Sequence, residues 1–190
     1  MEELRLGVAI SLRIPVPGDA GELAAAVDES RGDLAPWMEW CTPTYAAVEA
    51  GQWIDGARSG HEDKCSFEFL IVDEGDRIVG CCGVNLVNNF HRYANLGYWV
   101  RTSATGRGVA VAAVIQVADW AFRHSELERL EIVVAVGNRR SCRVATKAGA
   151  HHEGILRRRL RVREDFHDAV MYSIVRDDRT GTNSGDEAAP

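Results

Sequence analysis

A glycine-rich turn between a predicted strand and a predicted helix has the clearest potential for chemistry. Residues 98–110 have the sequence YWVRTSATGRGVA, and Gly106 and Gly108 stand just before a stretch with helical periodicity. Glycine permits positive φ and a close approach of the backbone, and the first amides of a helix point outward without partners. Such a turn suits a phosphate or a pyrophosphate group. We therefore predict an anion-binding loop at this position.

Two common phosphate motifs do not fit this turn. A Walker loop requires lysine directly after its last glycine, but Val109 follows Gly108. The dinucleotide fingerprint requires a glycine where Val111 stands. A third pattern, Q/R-x-x-G-x-G/A, matches residues 105–110 at both small positions and departs at its first position, where Thr105 replaces Gln or Arg. The simplest alternative is a strand–helix connection that uses glycine only for turning.

Several segments resemble the GNAT superfamily and, within it, the RimJ/RimL-type acetyltransferases of ribosomal-protein N-termini. The third pattern is the pyrophosphate loop of that superfamily. The segments that resemble this branch are PWMEW at 36–40, LGYWV at 96–100, NRRS at 138–141, VATKAGA at 144–150 and YSI at 172–174. Ala150 stands where the branch usually has Phe. The resemblance covers residues 4–176.

The resemblance implies an acetyl-CoA-dependent N-acetyltransferase and assigns cofactor-binding roles. In the family, the strand before the loop separates from its neighbour and its backbone pairs with pantetheine. Residues 98–100 are the counterparts here, and residues 105–110 are the pyrophosphate loop. The implied cofactor ligands in these segments are Tyr98, Trp99, Val100, Thr105, Gly106, Arg107, Gly108, Val109 and Ala110. Asn138 is implied as a side-chain ligand of the cofactor arm, and it can at the same time be the N-cap of the next helix.

Ser141 and Glu68 are the candidate catalytic residues. The resemblance places the Ser141 hydroxyl opposite the cofactor sulfur, where it would orient a water or donate a hydrogen bond to the thiolate; the alternative is a structural serine in the first turn of a helix. Glu68, Glu39 and His91 are the candidates for a general base, and each also has a structural interpretation. An N-terminal amine has a pKa of about 7.7–8.0 and is partly neutral already, whereas lysine, at about 10.4, demands a strong base. This difference favours α-amine acceptors.

Two basic groups remain. Arg139, Arg143 and Lys147 are spaced to share one face of a predicted helix. Beside a CoA site, Arg143 and Lys147 would contact the 3′-phosphate, and otherwise they form a solvated face. The run RRRLRVR at 157–163 predicts a solvated loop or strand edge, or else a docking surface for an acidic protein or RNA.

Composition limits the classes of function. With a net charge of −6, the surface as a whole is not expected to attract DNA or an anionic membrane. The five cysteines include no CxxC pair, so neither a zinc site nor a disulfide framework is predicted. No metal site is expected. The start of the chain has no signal-peptide pattern and no segment is apolar enough to span a membrane, so we expect a cytoplasmic protein with reduced thiols.

The order of predicted elements indicates one mixed α/β (α+β) domain. With 190 residues, one domain is the expectation. Strands dominate early, and a strand–helix–strand–helix unit follows. We predict a GNAT-like domain over residues 1–176, with a mixed, mostly antiparallel sheet of six to seven strands and helices on both faces. Residues 177–190 are polar and are predicted to be disordered.

Three functions compete at this stage. The first is an acetyl-CoA-dependent N-acetyltransferase acting on a protein N-terminal α-amine, possibly ribosomal in type, as the resemblance implies. The second is an acyltransferase that uses a small amine such as an antibiotic or polyamine, or another acyl-CoA. The third is a non-catalytic acyl-CoA-binding regulatory module, which the departures at Thr105 and Ala150 keep open. A homodimer is one of the assembly states left open.

Overall fold

The computed structural model describes residues 9–180, which form one seven-stranded sheet and five α-helices. The strands are β1 (Ile10–Arg13), β2 (Phe67–Asp73), β3 (Ile78–Asn88), β4 (Tyr93–Val100), β5 (Arg129–Ala135), β6 (His151–Val162) and β7 (Asp165–Val175). The helices are α1 (Ala20–Leu34), α2 (Ala47–Glu62), α3 (Val109–His124), α4 (Arg139–Lys147) and α5 (Arg176–Thr180). The sheet order is β1-β2-β3-β4-β5-β7-β6, and only β4 and β5 are parallel neighbours. The predicted fold class is confirmed.

Helices cover both faces of the sheet. Buried residues of α1 and α2 pack with Leu70 on one face, while those of α3 and α4 pack with Phe67 and Phe69 on the other. We call these the α1/α2 face and the α3/α4 face. The adjacent Cys81 and Cys82 lie in the two different cores, as alternation along a strand requires.

A separation of β4 from β5 is the feature that positions the site. The two strands pair only at their starts, from Tyr93 opposite Arg129 to Asn95 opposite Glu131. Beyond that point β4 stays paired with β3 up to Val100, and β5 stays paired with β7 up to Ala135. The sheet therefore contains a V-shaped gap whose wide end lies at the carboxyl ends of β4 and β5. The segments that follow these strands, leading to α3 and α4, both start at this end.

The C-terminal part of the chain agrees with the sequence prediction at the basic run and differs from it at the tail. Of the two predicted placements of the basic run, the strand edge is confirmed, because residues 157–162 lie in β6 at the edge of the sheet and Arg163 lies in the turn that follows. The predicted disordered tail begins with an ordered helix, because α5 covers Arg176–Thr180. Arg176 fixes this start by donating hydrogen bonds to the carbonyls of Phe122, Ser125 and Leu127. Residues 181–190, also in that prediction, lie outside the described residues. None of the helices described is both long and apolar enough to cross a bilayer.

Candidate functional site

The glycine loop leaves the start of α3 open. Gly106 and Gly108 have φ values of 77° and 83°, in the left-handed region that favours glycine. Gly108 is the N-cap residue of α3 and supplies no side-chain acceptor. Among the described residues, no acceptor is found for the backbone N–H groups of residues 106–111, and a Cβ on Gly106 would meet nothing within 4 Å. These outward amides, at the positive end of the helix dipole, can hold an anion.

Helix α1 anchors the beginning of this loop. The Ser30 hydroxyl accepts a hydrogen bond from the Thr102 amide at 3.0 Å, and the Glu29 carboxylate accepts one from the Ser103 amide at 3.0 Å. Asp33 accepts from the Thr102 hydroxyl at 2.8 Å. Sequence analysis missed these α1 residues, because only the fold brings them to a loop about seventy positions later.

Asp33 also connects the loop to α4. Its second oxygen accepts a hydrogen bond from Arg140 at 3.0 Å. One α1 carboxylate thus links the starts of both helices that begin at the wide end of the gap.

A side chain caps the start of α4. The Asn138 Oδ1 accepts a hydrogen bond from the Ser141 amide at 3.1 Å, so the N-cap alternative is confirmed. Asn138 Nδ2 has no partner among residues 9–180, so this side-chain amide N–H group can donate to a ligand.

Ser141 meets Tyr98 across the wide part of the gap. The Tyr98 hydroxyl donates to the Ser141 carbonyl at 2.9 Å and lies 2.8 Å from the Ser141 hydroxyl. Burial raises the pKa of Tyr98 well above its ordinary value, so the phenol stays neutral. The predicted residues Tyr98 and Ser141 are therefore brought together, through a side-chain contact that the sequence did not reveal.

The backbone of β4 from residue 96 to residue 100 faces an unpaired edge. The side chains alternate there, with Tyr98 and Val100 packing toward the α3/α4 face and Trp99 toward the α1/α2 face. A strand edge without a partner offers N–H and C=O groups to an extended ligand. Tyr98, Trp99 and Val100 thus lie where an added strand of ligand can pair.

Glu68 lies on the opposite face of the sheet from Ser141. Its Oε1 accepts a hydrogen bond from Asn85 at 2.8 Å, and Asn85 in turn accepts one from Asn95 at 2.9 Å. Its carboxylate occupies the space over Gly83, where a Cβ would come within 2.1 Å of Oε2. Burial raises the pKa of Glu68, while the hydrogen bond from Asn85 opposes this shift.

Gly97 provides open space beside this carboxylate. Gly83 and Gly97 are directly paired, and a Cβ on Gly97 would have no neighbour closer than 3.7 Å. Because Gly97 lies just beyond the last β4–β5 pair, Glu68 borders the gap from the α1/α2 face.

The other base candidates are placed less favourably. His91 lies in the β3–β4 hairpin, next to Tyr93, at the narrow end of the gap. Glu39 is exposed in the connection between α1 and α2. Of the three candidates, Glu68 alone borders the separated part of the strands.

The remaining predicted residues are placed as follows. Thr105 and Arg107 are exposed in the loop, and the Thr105 hydroxyl donates to the Thr102 carbonyl at 2.8 Å. Val109 is buried and Ala110 is half-buried at the start of α3. Arg143 and Lys147 are exposed on α4, and within the described chain neither forms a hydrogen bond or ion pair with the loop.

These features fit the parts of acetyl-CoA. The open amides match a pyrophosphate, and the unpaired edge of β4 matches the amide-containing pantetheine arm. Asn138 and Ser141 lie beside the wide end of the gap, next to Tyr98. Across residues 9–180, no three His, Cys, Asp or Glu side chains are grouped as metal ligands.

Comparison with known proteins shows the family. Residues 10–151 match the model of the acetyltransferase (GNAT) domain, and the chain belongs to this family of N-acetyltransferases. It is 29% identical over 168 residues to YdaF of Bacillus subtilis, which has the provisional name of a ribosomal N-acetyltransferase, with 88% of this chain and 91% of the relative covered. It is 21% identical over 176 residues to the ribosomal-protein-serine acetyltransferase of Escherichia coli, covering 93% and 98%.

Solved structures share the fold. RimJ of Mycobacterium smegmatis in complex with CoA-disulfide has a TM-score of 0.82 at 26% identity, over 92% of this chain and 85% of that one. RimL, a ribosomal L7/L12 α-N-protein acetyltransferase solved with coenzyme A, has a TM-score of 0.83 at 21% identity, over 90% and 96%. The RimJ/RimL resemblance noted from the sequence is confirmed.

Proposed function

We propose that this enzyme transfers an acetyl group from acetyl-CoA to the N-terminal α-amine of a protein. The observation that carries the proposal is the gap between β4 and β5, which has the open start of α3 at its wide end and Ser141 at its side. Names of relatives such as YdaF and the Escherichia coli enzyme support ribosomal proteins as acceptors. Since ribosomal proteins are made in the cytoplasm, the proposal places the enzyme there.

Binding of the donor would use backbone groups above all. The amides of residues 106–110 would hold the pyrophosphate, and the β4 edge from Tyr98 to Val100 would pair with pantetheine. Asn138 Nδ2 would donate to the arm while Oδ1 keeps its hydrogen bond to the Ser141 amide. When bound, acetyl-CoA supplies an acetyl group activated as a thioester.

Glu68 would receive the acceptor amine on the α1/α2 face. Asn85 donates a hydrogen bond to Oε1 of Glu68. The other oxygen, Oε2, lies over Gly83, beside the open space at Gly97. A carboxylate with a raised pKa is a better proton acceptor than an ordinary one. An α-amine has a pKa of about 7.7–8.0, so part of it is already neutral near neutral pH. A carboxylate base is therefore sufficient to deprotonate the rest.

Ser141 would act on the departing sulfur from the α3/α4 face. Its hydroxyl can donate a hydrogen bond to developing negative charge, directly or through a water. Glu68 would thus act on the amine and Ser141 on the sulfur from opposite faces of the sheet. Both faces are accessible at the gap.

An acetyl-transfer assay with an acceptor panel tests the function. We expect transfer from acetyl-CoA to peptides with a free N-terminus, no transfer to the same peptides with a blocked N-terminus, and weaker transfer to spermidine and aminoglycosides. Preference for the small amines would establish the second candidate function. Absence of transfer with retained acetyl-CoA binding would establish the regulatory module.

The pH dependence of kcat/KM tests Glu68. Because burial raises its pKa, the wild-type profile should rise through an ionisation above the ordinary carboxyl range and again near the pKa of the amine. Glu68→Gln should lose the lower rise and keep the upper one, whereas Glu39→Gln should keep both. A Glu68→Gln enzyme with the wild-type profile and rate would remove Glu68 from the mechanism.

A further inference from the structure

A bulge in β6 pushes three arginines out of the β6–β7 ladder. Leu156 pairs with Ala169 and Leu160 pairs with His167, so the three residues between them face Asp168 alone. We call residues 157–159 the arginine bulge. Its middle residue, Arg158, has a φ of 51°, and its amide donates to Asp168 Oδ1 at 2.8 Å. Asp168 therefore uses a carboxylate oxygen to fix the bulge in place.

The arginine bulge concentrates positive charge in an acidic protein. All three arginines are exposed. Arg158 stacks over the Phe166 ring at 4.9 Å, and Arg157 and Arg159 have no carboxylate partner among the described residues. In this chain of net charge −6, several other arginines are paired with carboxylates, for example Arg129 with Glu153.

The fold places the bulge at the wide end of the gap. Ala169 pairs with Leu156 on one side and with Ala135, the last residue of β5, on the other. The bulge thus begins level with the end of β5 and lies two strand spacings from it, about 10 Å.

Beyond the bulge, the hairpin reaches toward the α1–α2 connection. Burial raises the pKa of Cys41 in that connection, and the charges of Arg31 and, to a smaller extent, Arg163 oppose this shift. The same connection carries Trp40, whose ring lies 6.0 Å from that of Trp99 on the α1/α2 face. The hairpin therefore borders the side from which the acceptor would enter.

We propose that the arginine bulge binds carboxylates of an acidic protein segment that follows the acetylated N-terminus. This proposal rests on the proposed function and specifies the acceptor. The amine would lie beside β4, at least one further strand spacing away across the gap, so the span is about 15 Å. An extended chain covers about 3.3–3.6 Å per residue, which places these carboxylates about four to five residues after the amine. Arginine pairs well with carboxylates, often through two hydrogen bonds.

A peptide fits this surface better than RNA does. Ile155, Leu156 and Phe166 are exposed large hydrophobic residues around the bulge and can pack against peptide side chains. Glu164 in the adjoining turn and Asp165 at the start of β7 would repel a continuous phosphate backbone more than isolated carboxylates.

Paired peptides and matched variants test the proposal. Two decapeptides share their first two residues and carry either Asp/Glu or Asn/Gln at positions three to six. At low salt we expect the wild type to have a KM about five- to tenfold lower for the acidic peptide, a preference that shrinks as salt rises. The Arg157→Gln/Arg159→Gln variant should lose this preference, with kcat and the KM for acetyl-CoA unchanged.

The control variant is Arg58→Gln/Arg123→Gln, which removes two exposed arginines away from the hairpin and should keep the preference. Thermal melts verify that both variants fold. Equal KM values for the two peptides in the wild type, or a preference that persists in the bulge variant, would overturn the proposal.

A binding arm separates this proposal from the proposed function. Fluorescence anisotropy with the labelled acidic peptide and CoA should show binding that the bulge variant loses, whether or not any acceptor is acetylated. Absence of acetylation together with bulge-dependent binding would refute only the N-terminal acetyltransferase proposal. A single-stranded RNA that binds more tightly than the acidic peptide, with the same dependence on the arginines, would overturn the peptide assignment.

Discussion

The starts of α3 and α4 lie at the same end of the gap but are built in opposite ways. Gly108, in the left-handed conformation, leaves the first amides of α3 without acceptors. Asn138 instead closes the start of α4 by accepting from the Ser141 amide at 3.1 Å. An uncapped helix start costs stability unless a ligand or water satisfies its amides. The open start is therefore suited to an external anion, and the capped start to holding one hydroxyl in place.

Gly108→Val should break the open start and have the largest effect. A β-branched residue resists the φ of 83° and would obstruct the amides, so we expect acetyl-CoA affinity to fall at least about a hundredfold. Isothermal titration calorimetry measures this change. Gly149→Val is the matched control, since Gly149 has a φ of 85° at the other end of α4. It should lower the melting temperature and leave affinity unchanged. Wild-type affinity in folded Gly108→Val would remove the loop assignment.

Ser141→Ala tests the capped start, and its effect should fall on the chemical step. A hydrogen bond to sulfur strengthens as negative charge develops, so kcat should drop about tenfold or more while acetyl-CoA affinity stays within about threefold. Ser141→Cys should recover part of the rate, because a thiol still donates weakly. A structural serine would give a slightly lower melting temperature and an unchanged kcat. Steady-state kinetics with a peptide, beside a thermal melt, decides between the two.

The contrast between the two starts was only partly predictable from the sequence. The glycine loop was found because glycines before a helix have a local signature, and Asn138 because capping is a local property. The Tyr98–Ser141 contact and the anchoring of the loop by Glu29, Ser30 and Asp33 join residues far apart in sequence. No periodicity encodes such contacts, since the sheet order creates them.

The sequence also left the structure of two C-terminal segments, the basic run and α5, unresolved because long-range contacts determine it. The basic run left a loop or a strand edge open because three arginines stand in succession at 157–159 before the alternation of residues 159–163 begins. Pairing with β7 makes residues 160–162 part of a strand. The α5 helix was missed because its composition resembles a disordered tail, whereas the Arg176 hydrogen bonds to three carbonyls order its start. In both segments tertiary contacts outweigh local propensity.

Tyr98→Phe sharpens the role of the capped start. The phenol holds the Ser141 carbonyl at 2.9 Å and hydroxyl at 2.8 Å, so its loss should free the serine and lower kcat about fivefold. In the Ser141→Ala background the same change should have no further effect on kcat, because there is no hydroxyl left to position. Additive losses in this double-mutant cycle would mean that Tyr98 acts independently of Ser141.

The smallest effect concerns whether α4 also contributes to anion binding. Arg143 and Lys147 are exposed and have no ion-pair partner among the described residues, so they are free to contact the 3′-phosphate of CoA. Exposed ion pairs contribute little, and the wild type should bind acetyl-CoA only about threefold more tightly than its 3′-dephospho form.

The Arg143→Ala/Lys147→Ala variant should bind both forms with the lower affinity, and raising the salt concentration should abolish the difference in the wild type as well. Arg58→Ala, a change of an exposed arginine on α2, is the matched control and should keep the preference. Calorimetric titration with the two cofactors makes the comparison. If the wild type binds both equally, the positive charge of α4 is only a solvated face, and anion binding belongs to the open start of α3 alone.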